Sequence, residues 1–391
     1  MNRTIAALGT TIFEVMSGLA RETGAINLGQ GFPDAQGPAE LLDAAARALR
    51  DRSNQYPPMR GLPELRAAIG GYYAAHQGRA LAEEEIVVTS GGTEALAACI
   101  LAFLDAGDEA ILVQPLYDAY LPLVERAGGV ARPVSLTPPD WRVPIEAIRA
   151  AITPRSRLVI LNSPHNPTGS VVSRAELEAL ADICVAHDLI LLCDEVWEGM
   201  IFDGTPHVSP LAIERLRARS VKIGSAGKIF SLTGWKVGWA CAARPLAAMI
   251  ARAHQFLTFT TPPALQWAVA EGLALPPAWH DAHRASHAAG RARLAGGLRE
   301  AGYAVRPSAA TWFIHIDLAA SGIALDDAAF CERAVREAGV AAIPFSAFYA
   351  QAPETRFVRI CFTKPAEMLD EAVARLARFR AALTDGSSVA P

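Results

Sequence analysis

The chain has 391 residues, of which 51% are hydrophobic and 19% charged, so it can bury a sizeable core and is not intrinsically disordered. Its 36 basic and 40 acidic side chains give a formal net charge of -4, which offers no basic surface for nucleic acid. No apolar run reaches the roughly 18 residues of a membrane span and no signal-peptide core is present, so we expect a cytoplasmic protein without nucleic-acid or membrane partners.

Short β-branched runs alternate with amphipathic helical stretches from about residue 86 to residue 241. This alternation is typical of an α/β domain with a mostly parallel sheet. It predicts strands at residues 86–89, 110–114, 130–134, 158–162, 190–194, 221–225 and 237–241, and helices that include 93–104 and 174–187. After residue 262, a helical tract to about residue 300 precedes strands at 303–306, 311–317, near 340 and at 357–361, and helices at 326–338 and 365–383. This second part has the pattern of an α+β domain.

Lysine is rare in the chain, and its positions indicate where chemistry is concentrated. Among the 36 basic residues, only Lys222, Lys228, Lys236 and Lys364 are lysines. Three of them lie within residues 222–236, so we expect this segment to need a primary amine that arginine cannot replace. The segment is not a P-loop, because the first glycine of G-x-x-x-x-G-K would fall at Lys222 and residue 229 is isoleucine.

Three polar segments follow predicted strands, at the edge where open α/β sheets bind ligands. The sequence SGGTE at residues 90–94 is either a phosphate cradle or only a turn. The loop 161–169 has two asparagines, which either present amides to a ligand or build tight turns. Asp194 and Glu195 end an apolar strand, and we expect one to bind a ligand and the other to cap the next helix. A lysine near these segments suits Schiff-base chemistry with an aldehyde cofactor.

Together these segments resemble the pyridoxal-phosphate-dependent aminotransferases of fold type I, class I/II, nearest to the branch with kynurenine, glutamine and bacterial methionine aminotransferases. The resemblance extends from about Thr10 to Leu383. Its motifs are INLGQGFPD (26–34), NQYPPMRG (54–61), SGGTE (90–94), QPLYD (114–118), NPTG (166–169), DEV (194–196), SAGK and GWK (within 225–236) and FVRICF (357–362). It implies an α/β fold with a large cofactor-binding domain, residues 45–285, whose mostly parallel mixed sheet lies between helices. Residues 286–391 form a smaller α+β domain, and residues 1–44 an arm and part of that domain.

The resemblance also implies the residues that bind pyridoxal phosphate. Lys228 resembles the Schiff-base lysine that shuttles protons, and Asp194 the partner of the pyridine nitrogen. Tyr117 resembles the ring that stacks on the pyridine and completes the catalytic set, and Asn166 the donor to the phenolic oxygen. The implied phosphate ligands are Gly92, Thr93, Ser225 and Lys236 of one subunit and Tyr56 of its neighbour.

Two positions depart from the family pattern: Trp197, and Ala310, which replaces the family glycine before Thr311. After DEV the family has a tyrosine whose hydroxyl donates to the phenolic oxygen, whereas this chain has Trp197 against the cofactor. Loss of that donor predicts that the bound cofactor titrates at a higher pKa than in a Trp197→Tyr variant.

For the substrate, the resemblance implies that Arg359 clamps the α-carboxylate, helped by Asn162, Asn166 and the backbone of Gly31. The predicted side-chain contacts are apolar or aromatic: Phe13, Trp197, Phe259, Trp312, Phe313 and Phe348. Residues 258–263 include no arginine for a second carboxylate. We therefore favour methionine, aromatic amino acids, kynurenine or glutamine over aspartate as the amino donor.

The predicted activity is transfer of an amino group from an L-amino acid to a 2-oxo acid, with both small molecules as substrates. Two alternatives are a pyridoxal-phosphate-dependent cysteine-conjugate β-lyase and a non-catalytic cofactor-binding scaffold. The complete set of Lys228, Asp194 and Arg359 argues against the scaffold. Because Tyr56 and Phe259 resemble contributions to a neighbour's site, we expect a homodimer with shared active sites.

No metal site is predicted. His280, His283 and His287 have the spacing of ligands on one helical face, but the stretch is polar and no carboxylate or thiol cluster accompanies it. We interpret it as a solvated helix face. The six cysteines are scattered without a C-x-x-C pair, and we expect free, buried thiols.

Overall fold

A seven-stranded, mostly parallel sheet forms the centre of the molecule. The computed structural model describes residues 5, 6, 8–306, 308–351, 353 and 355–385. In spatial order the strands are β2 (Ile86–Thr89), β8 (Gly238–Ala242), β7 (Ser220–Ser225), β6 (Ile190–Asp194), β5 (Ser156–Asn162), β3 (Glu109–Gln114) and β4 (Val130–Ser135). Strand β8 is antiparallel to both of its neighbours, and the other pairs are parallel. The seven strands predicted for this region are all confirmed.

Helices pack against both faces of this sheet and also form much of the rest of the molecule. They are α1 (Ile12–Thr23), α2 (Ala39–Asp51), α3 (Pro63–Gln77), α4 (Gly91–Phe103), α5 (Tyr120–Arg126), α6 (Ile145–Ala151), α7 (Arg174–Ala186), α8 (Ala226–Ile229), α9 (Arg244–Leu257), α10 (Pro263–Leu273), α11 (Pro277–Glu300), α12 (Asp327–Arg333, continued by a π-helical turn Ala334–Ala338) and α13 (Ala366–Asp385). Short 3₁₀ turns lie at Glu83–Glu85, Pro210–Ala212, Glu214–Leu216, Thr233–Trp235 and Phe345–Phe348. Among the described residues, no helix combines the length and the apolar character needed to cross a membrane.

The sheet strands are apolar because helices cover them on both sides. All four residues of β2 are buried, and β6 is buried from Leu191 onwards. Local signals also set the helix boundaries. Helix α7 begins with a capping box in which Ser173 accepts from the backbone N–H of Glu176 and the Glu176 carboxylate accepts from the N–H of Ser173.

The later part of the chain has a separate antiparallel sheet. Its strands, in spatial order, are β12 (Ile343–Pro344), β13 (Phe357–Cys361), β10 (Phe313–Asp317) and β9 (Ala304–Arg306). Near the N-terminus, β1 (Ile26–Asn27) pairs in parallel with β11 (Val340–Ala341), which ties this end of the chain to the later part. The α+β character predicted after residue 262 is confirmed. The domain limits at residues 44/45 and 285/286 stay a prediction, and their outer ends at residues 1 and 391 lie outside the described residues.

The register of the central sheet brings the functional residues together. Strands β5 and β6 pair so that Asn162 lies opposite Asp194, and Asp194 in turn lies opposite Ile223 of β7. Ser225 ends β7 at the same edge. The carboxyl ends of three neighbouring strands therefore converge, which is where this class of sheet binds ligands. The six cysteines are free and buried, as predicted.

Candidate active site

A cavity of about 220 Å³ opens at the carboxyl edge of β5, β6 and β7. Its lining brings together ten of the residues predicted from the sequence: Gly92, Thr93, Tyr117, Asn162, Asn166, Asp194, Trp197, Ser225, Lys228 and Lys236. Residues from five separate segments of the chain thus meet in one place.

One end of the cavity is a cradle for an anion. Helix α4 begins there at Gly91, whose φ of 80° favours glycine, and no side chain caps the free N–H groups of its first turn. A Cβ atom at Gly238 would lie 2.8 Å from the Gly92 backbone nitrogen, so only glycine in β8 lets the helix start approach this closely. The Lys236 ammonium lies 3.3 Å from where a Cβ of Gly91 would be. Free N–H groups and an ammonium together suit a phosphate.

Asp194 is held as an acceptor at the opposite end. Its Oδ2 accepts from the hydroxyl of Tyr120 at 2.6 Å, and its Oδ1 accepts from the backbone N–H of Val196 at 3.2 Å. The side-chain amide of Asn162 donates to the Asp194 carbonyl oxygen at 2.7 Å. Burial raises the pKa of the Asp194 carboxyl, while the hydrogen bonds from Tyr120 and Val196 and the charge of Lys228 oppose that rise. A cation bound beside this carboxylate would restore its charged form.

Lys228 lies one turn into the short helix α8, directly after β7, and faces the cavity. Its Nζ is 4.6 Å from the ring centre of Trp197 and 5.0 Å from that of Trp312. Among the described residues, no carboxylate forms a salt bridge with it. Burial lowers the pKa of this amine to about 8, although the side chain remains partly accessible from the cavity. An amine with such a pKa is a competent nucleophile and proton carrier near neutral pH.

Tyr117 lines the wall between these two ends. Its hydroxyl lies 3.2 Å from Thr93 Oγ1. Its ring contacts the Tyr120 ring edge-to-face at 5.7 Å. The phenol is thereby fixed against the start of α4 and beside the Asp194 partner Tyr120. This position suits the stacking role predicted for Tyr117.

Arg359 extends from β13 of the second sheet toward the cavity region. Its Nη1 donates to Asn166 Oδ1 at 2.8 Å and its Nη2 to the Gly29 carbonyl at 2.7 Å, whereas Nε has no partner among the described residues. Its Cζ lies 3.8 Å from the ring centre of Phe313, and the rings of Phe348 and Phe13 are at 5.0 Å and 5.1 Å. Burial lowers the pKa of the guanidinium to about 9. No described carboxylate forms a salt bridge with it.

Arg359 as a whole is only 1% exposed, and the three phenylalanine rings lie close to its guanidinium. Phe13 of α1 is the most accessible of the three rings. Gly31 lies against the same cluster, since a Cβ there would be 2.4 Å from Phe313 Cζ. The residues predicted to bind the substrate carboxylate thus lie together in a buried cluster, and their binding role stays a prediction.

Five predicted site residues lie outside the lining of this cavity: Arg359 and Gly31, described above, and Trp312, Tyr56 and Phe259. Trp312 is fully buried, with its ring edge-to-face on Trp197 at 4.9 Å. Tyr56 is 83% exposed and contacts only the exposed ring of Phe259, at 5.7 Å. Tyr56 and Phe259 thus point outward from this chain, and their predicted contribution to a neighbouring subunit stays a prediction.

Two interpretations from the sequence were wrong. Glu195 does not cap a helix, because the residues that follow it form turns instead of a helix. Its side chain is buried and forms a salt bridge with Lys222. The histidine face of α11 is not solvated: His280 is buried, and His283 and His287 both contact the hydroxyl of Ser231, at 3.1 Å and 3.0 Å. The helix packs that face against the segment after Lys228, which no local pattern revealed.

Two buried contacts near the cavity were not predicted from the sequence. Tyr120 binds Asp194 and was not singled out, although it follows Tyr117 at the i+3 spacing of one helical face. Lys222 belongs to the lysine-rich segment that drew attention, but the sequence offers no sign of its partners.

The comparisons with known proteins agree with this geometry. A family model described as "Aminotransferase class I and II" matches residues 23–376. The probable N-succinyldiaminopimelate aminotransferase DapC of Mycobacterium tuberculosis (strain CDC 1551 / Oshkosh) is 43% identical over 379 residues, covering 94% of this chain and 95% of that protein. The methionine aminotransferase of Escherichia coli (strain K12) is 40% identical over 370 residues, covering 94% and 96%.

Solved structures give the same result. The crystal structure of YbdL from Escherichia coli, described as having a methionine aminotransferase function, superimposes with a TM-score of 0.93 at 39% identity, covering 97% of this chain and 99% of that one. The N-succinyldiaminopimelate aminotransferase of Mycobacterium tuberculosis has a TM-score of 0.93 at 42% identity, with the same coverage. The predicted fold type I architecture is confirmed.

Proposed function

The chain belongs to the class I and II aminotransferase family, and we propose that it transfers the amino group of an L-amino acid with an uncharged side chain, methionine or an aromatic residue, to a 2-oxo acid. The main support for this substrate class is the set of residues around the expected substrate position. Arg359 lies among three phenylalanine rings, and the basic side chains among the described cavity-lining residues are Lys228 and Lys236. Because both lysines have cofactor roles, none is left for a second substrate carboxylate.

Pyridoxal phosphate is the cofactor of this family, and the groups in the cavity fit it. The N–H groups at the start of α4 and the Lys236 ammonium suit its phosphate, and the Asp194 carboxylate suits its ring nitrogen. Ser225, Tyr117 and Asn166 line the space between. When bound, the cofactor supplies an electron sink for the pair left on the substrate Cα after deprotonation.

The protein supplies binding, orientation and proton transfer. Arg359 holds the α-carboxylate bidentately, which directs the Cα–H bond toward the Lys228 amine. That amine accepts and returns the proton at Cα, and its pKa near 8 suits both directions of transfer. The rings of Trp197 and Trp312 beside Lys228 exclude water from this exchange.

The proposed assembly is a two-fold dimer in which Tyr56 and Phe259 of each chain face the partner's cavity. Its support is an exposed apolar surface: Phe256 is 85% exposed, and Tyr56, Leu257 and Phe259 lie with it on or near the end of α9. Exposed aromatic and apolar side chains in one patch are typical of subunit interfaces. The oligomeric state is measured by analytical ultracentrifugation.

The substrate proposal is tested by half-reactions monitored in the visible spectrum, with no oxo acid present. L-Methionine, L-phenylalanine, L-aspartate and N-succinyl-L,L-diaminopimelate are added separately to the purified enzyme. We expect methionine and phenylalanine to bleach the cofactor band at least about a hundredfold more efficiently than aspartate, because a desolvated second carboxylate finds no cation. Faster reaction with N-succinyl-L,L-diaminopimelate than with methionine would contradict the proposal. The Lys228→Ala variant is the control for non-enzymatic bleaching.

A further inference from the structure

A buried cluster of charges lies next to the cavity, where the turn that follows β6 meets Lys222 of β7. The Lys222 ammonium binds the carboxylates of both Glu195 and Glu198, and these three side chains are 0 to 1% exposed. We call Lys222, Glu195 and Glu198 the lysine clamp. The Gln77 amide completes it: Oε1 accepts from the ammonium at 3.3 Å and Nε2 donates to Glu198. The mechanism above uses none of these groups.

The clamp and the cavity share one short stretch of chain, the turn that follows β6. In this turn Asp194 and Trp197 line the cavity, whereas Glu195 and Glu198, one residue further along in each case, enter the clamp. The N–H of Glu198 donates to the carbonyl of Glu195 at 2.9 Å, so the turn is compact. One side of the turn binds the cofactor, and the other side is bound by Lys222.

Every carboxylate oxygen of the clamp is occupied. Glu195 also contacts His207 Nε2 at 3.0 Å and accepts from the Ser209 hydroxyl at 3.0 Å. Glu198 accepts from the Tyr73 hydroxyl at 2.7 Å. Burial alone would lower the pKa of Lys222, but the two carboxylates outweigh it and raise that pKa well above its ordinary value. The ammonium therefore stays charged and is the cation that the two carboxylates share.

Stability alone does not explain such a cluster. Buried ion pairs can be replaced by well-packed apolar side chains with little loss of stability, and often with a gain, because desolvation of the charges offsets their attraction. What a shared ammonium provides is a fixed distance between Glu195 and Glu198. Fixing those two residues also fixes Asp194 and Trp197, because each of these directly precedes one of them in the chain.

We propose that Lys222 is a positioning residue for the cofactor: it clamps Glu195 and Glu198 together behind the turn and thereby holds Asp194 and Trp197 at the cavity. Without the ammonium, the two carboxylates lose the cation that joins them; whether they separate or one takes up a proton, their contacts change and the front of the turn moves with them. The inference rests on the family cofactor and not on the proposed substrate, and its test uses no amino acid.

The test compares Lys222→Met with Val221→Ala, a matched control that removes buried volume at the adjacent position of β7. Two readouts are measured: the affinity of the apoprotein for pyridoxal phosphate and the pH titration of the visible band. For Lys222→Met we expect at least a tenfold loss of affinity. We also expect a higher spectral pKa, because a ring nitrogen that loses its Asp194 partner gives up its proton and its positive charge. Val221→Ala should change both readouts by less than twofold while lowering the melting temperature.

Variants that also remove a carboxylate distinguish the loss of the Lys222 charge from the loss of its packing. Glu198→Gln removes one carboxylate but keeps the hydrogen-bonding shape, and we expect about a threefold loss of affinity. The double variant Lys222→Met/Glu198→Gln should recover from the tenfold loss to the level of Glu198→Gln, because the repulsion is gone. If Lys222→Met does not fold, Glu198→Gln decides alone. Unchanged affinity and spectral pKa in the folded variants would overturn the proposal, as would a double variant no better than Lys222→Met.

Discussion

Lys222 and Lys228 lie in the same short segment, on and just after β7, and their surroundings are opposite. Lys222 is 1% exposed and binds two carboxylates, which raise its pKa. Lys228 faces the cavity among two tryptophan rings, and burial lowers its pKa to about 8. A cation whose charge is already balanced has a structural task. A cation without a counter-ion is held ready for a ligand.

Arg359 belongs with Lys228 in this comparison. It too is buried, and its hydrogen-bond partners in the described part of the chain are an amide oxygen and a backbone carbonyl, with no carboxylate bound to it. Two buried cations without counter-ions point to one site that receives anionic or electrophilic groups from outside the chain.

The largest effect is expected for Lys228→Ala. Without the amine there is neither a nucleophile for the aldehyde cofactor nor a carrier for the Cα proton, so the half-reaction with methionine should slow by about ten-thousandfold or more. Stopped-flow measurement of the visible band gives the rate. A rate within tenfold of wild type would remove Lys228 from the chemistry and with it the contrast to Lys222.

The two lysines should also differ in how they link stability to pH. The pKa of Lys228 in the folded apoprotein is about 8, below the 10.5 of the unfolded chain. Between these pH values the unfolded chain binds the proton and the folded one does not, so the stability of the fold rises with pH. The rise attributable to Lys228 is about 2 to 3 kcal/mol.

This difference is measured by urea unfolding of the apoprotein at pH 7.5, 8.5, 9.5 and 10. The free energy of unfolding of wild type, relative to Lys228→Met, should increase over this range, and subtraction removes the contributions of buried tyrosines and cysteines. Lys222→Met should show no such relative slope, because the raised pKa of Lys222 keeps it protonated in both states up to about pH 10. Equal slopes for the two variants would contradict the assignment.

Arg359→Lys is expected to have the next largest effect. A lysine keeps the positive charge but cannot bind a carboxylate bidentately, and it also loses the guanidinium contact with the Phe313 ring. We expect KM for methionine to rise by about a hundredfold, with a smaller fall in kcat. Steady-state kinetics measure both constants, and Arg356→Lys, on the same chain segment, is the matched control. A change confined to kcat would mean that Arg359 does not bind the substrate carboxylate.

The sequence was sufficient for the central sheet, because β-branched runs between amphipathic helices specify buried parallel strands without reference to tertiary contacts. Local motifs at strand ends also drew attention to the lysine segment and to the pair Asp194 and Glu195, whereas the choice of Asp194 and the other site residues followed from the resemblance to the family. The lysine clamp could not be predicted in this way. It depends on the register between β6 and β7 and on Gln77 from a distant helix. The contact between Arg359 and the Phe13 ring could not be predicted either, because it depends on how α1 packs against the second sheet.

The smallest predicted effect concerns Trp197, which forms part of the surroundings of Lys228 in the cavity. Its ring contacts Lys228 but offers no hydroxyl, so we expect the phenolic oxygen of a bound cofactor to lack the donor that a tyrosine would supply. Trp197→Tyr should therefore lower the pKa of the visible band by about one unit, the equivalent of one charge-assisted hydrogen bond. Trp312→Phe, which alters the other ring beside Lys228 without adding a hydroxyl, is the control. If both variants shift the band equally, the effect comes from the aromatic surroundings of the amine and not from a missing donor.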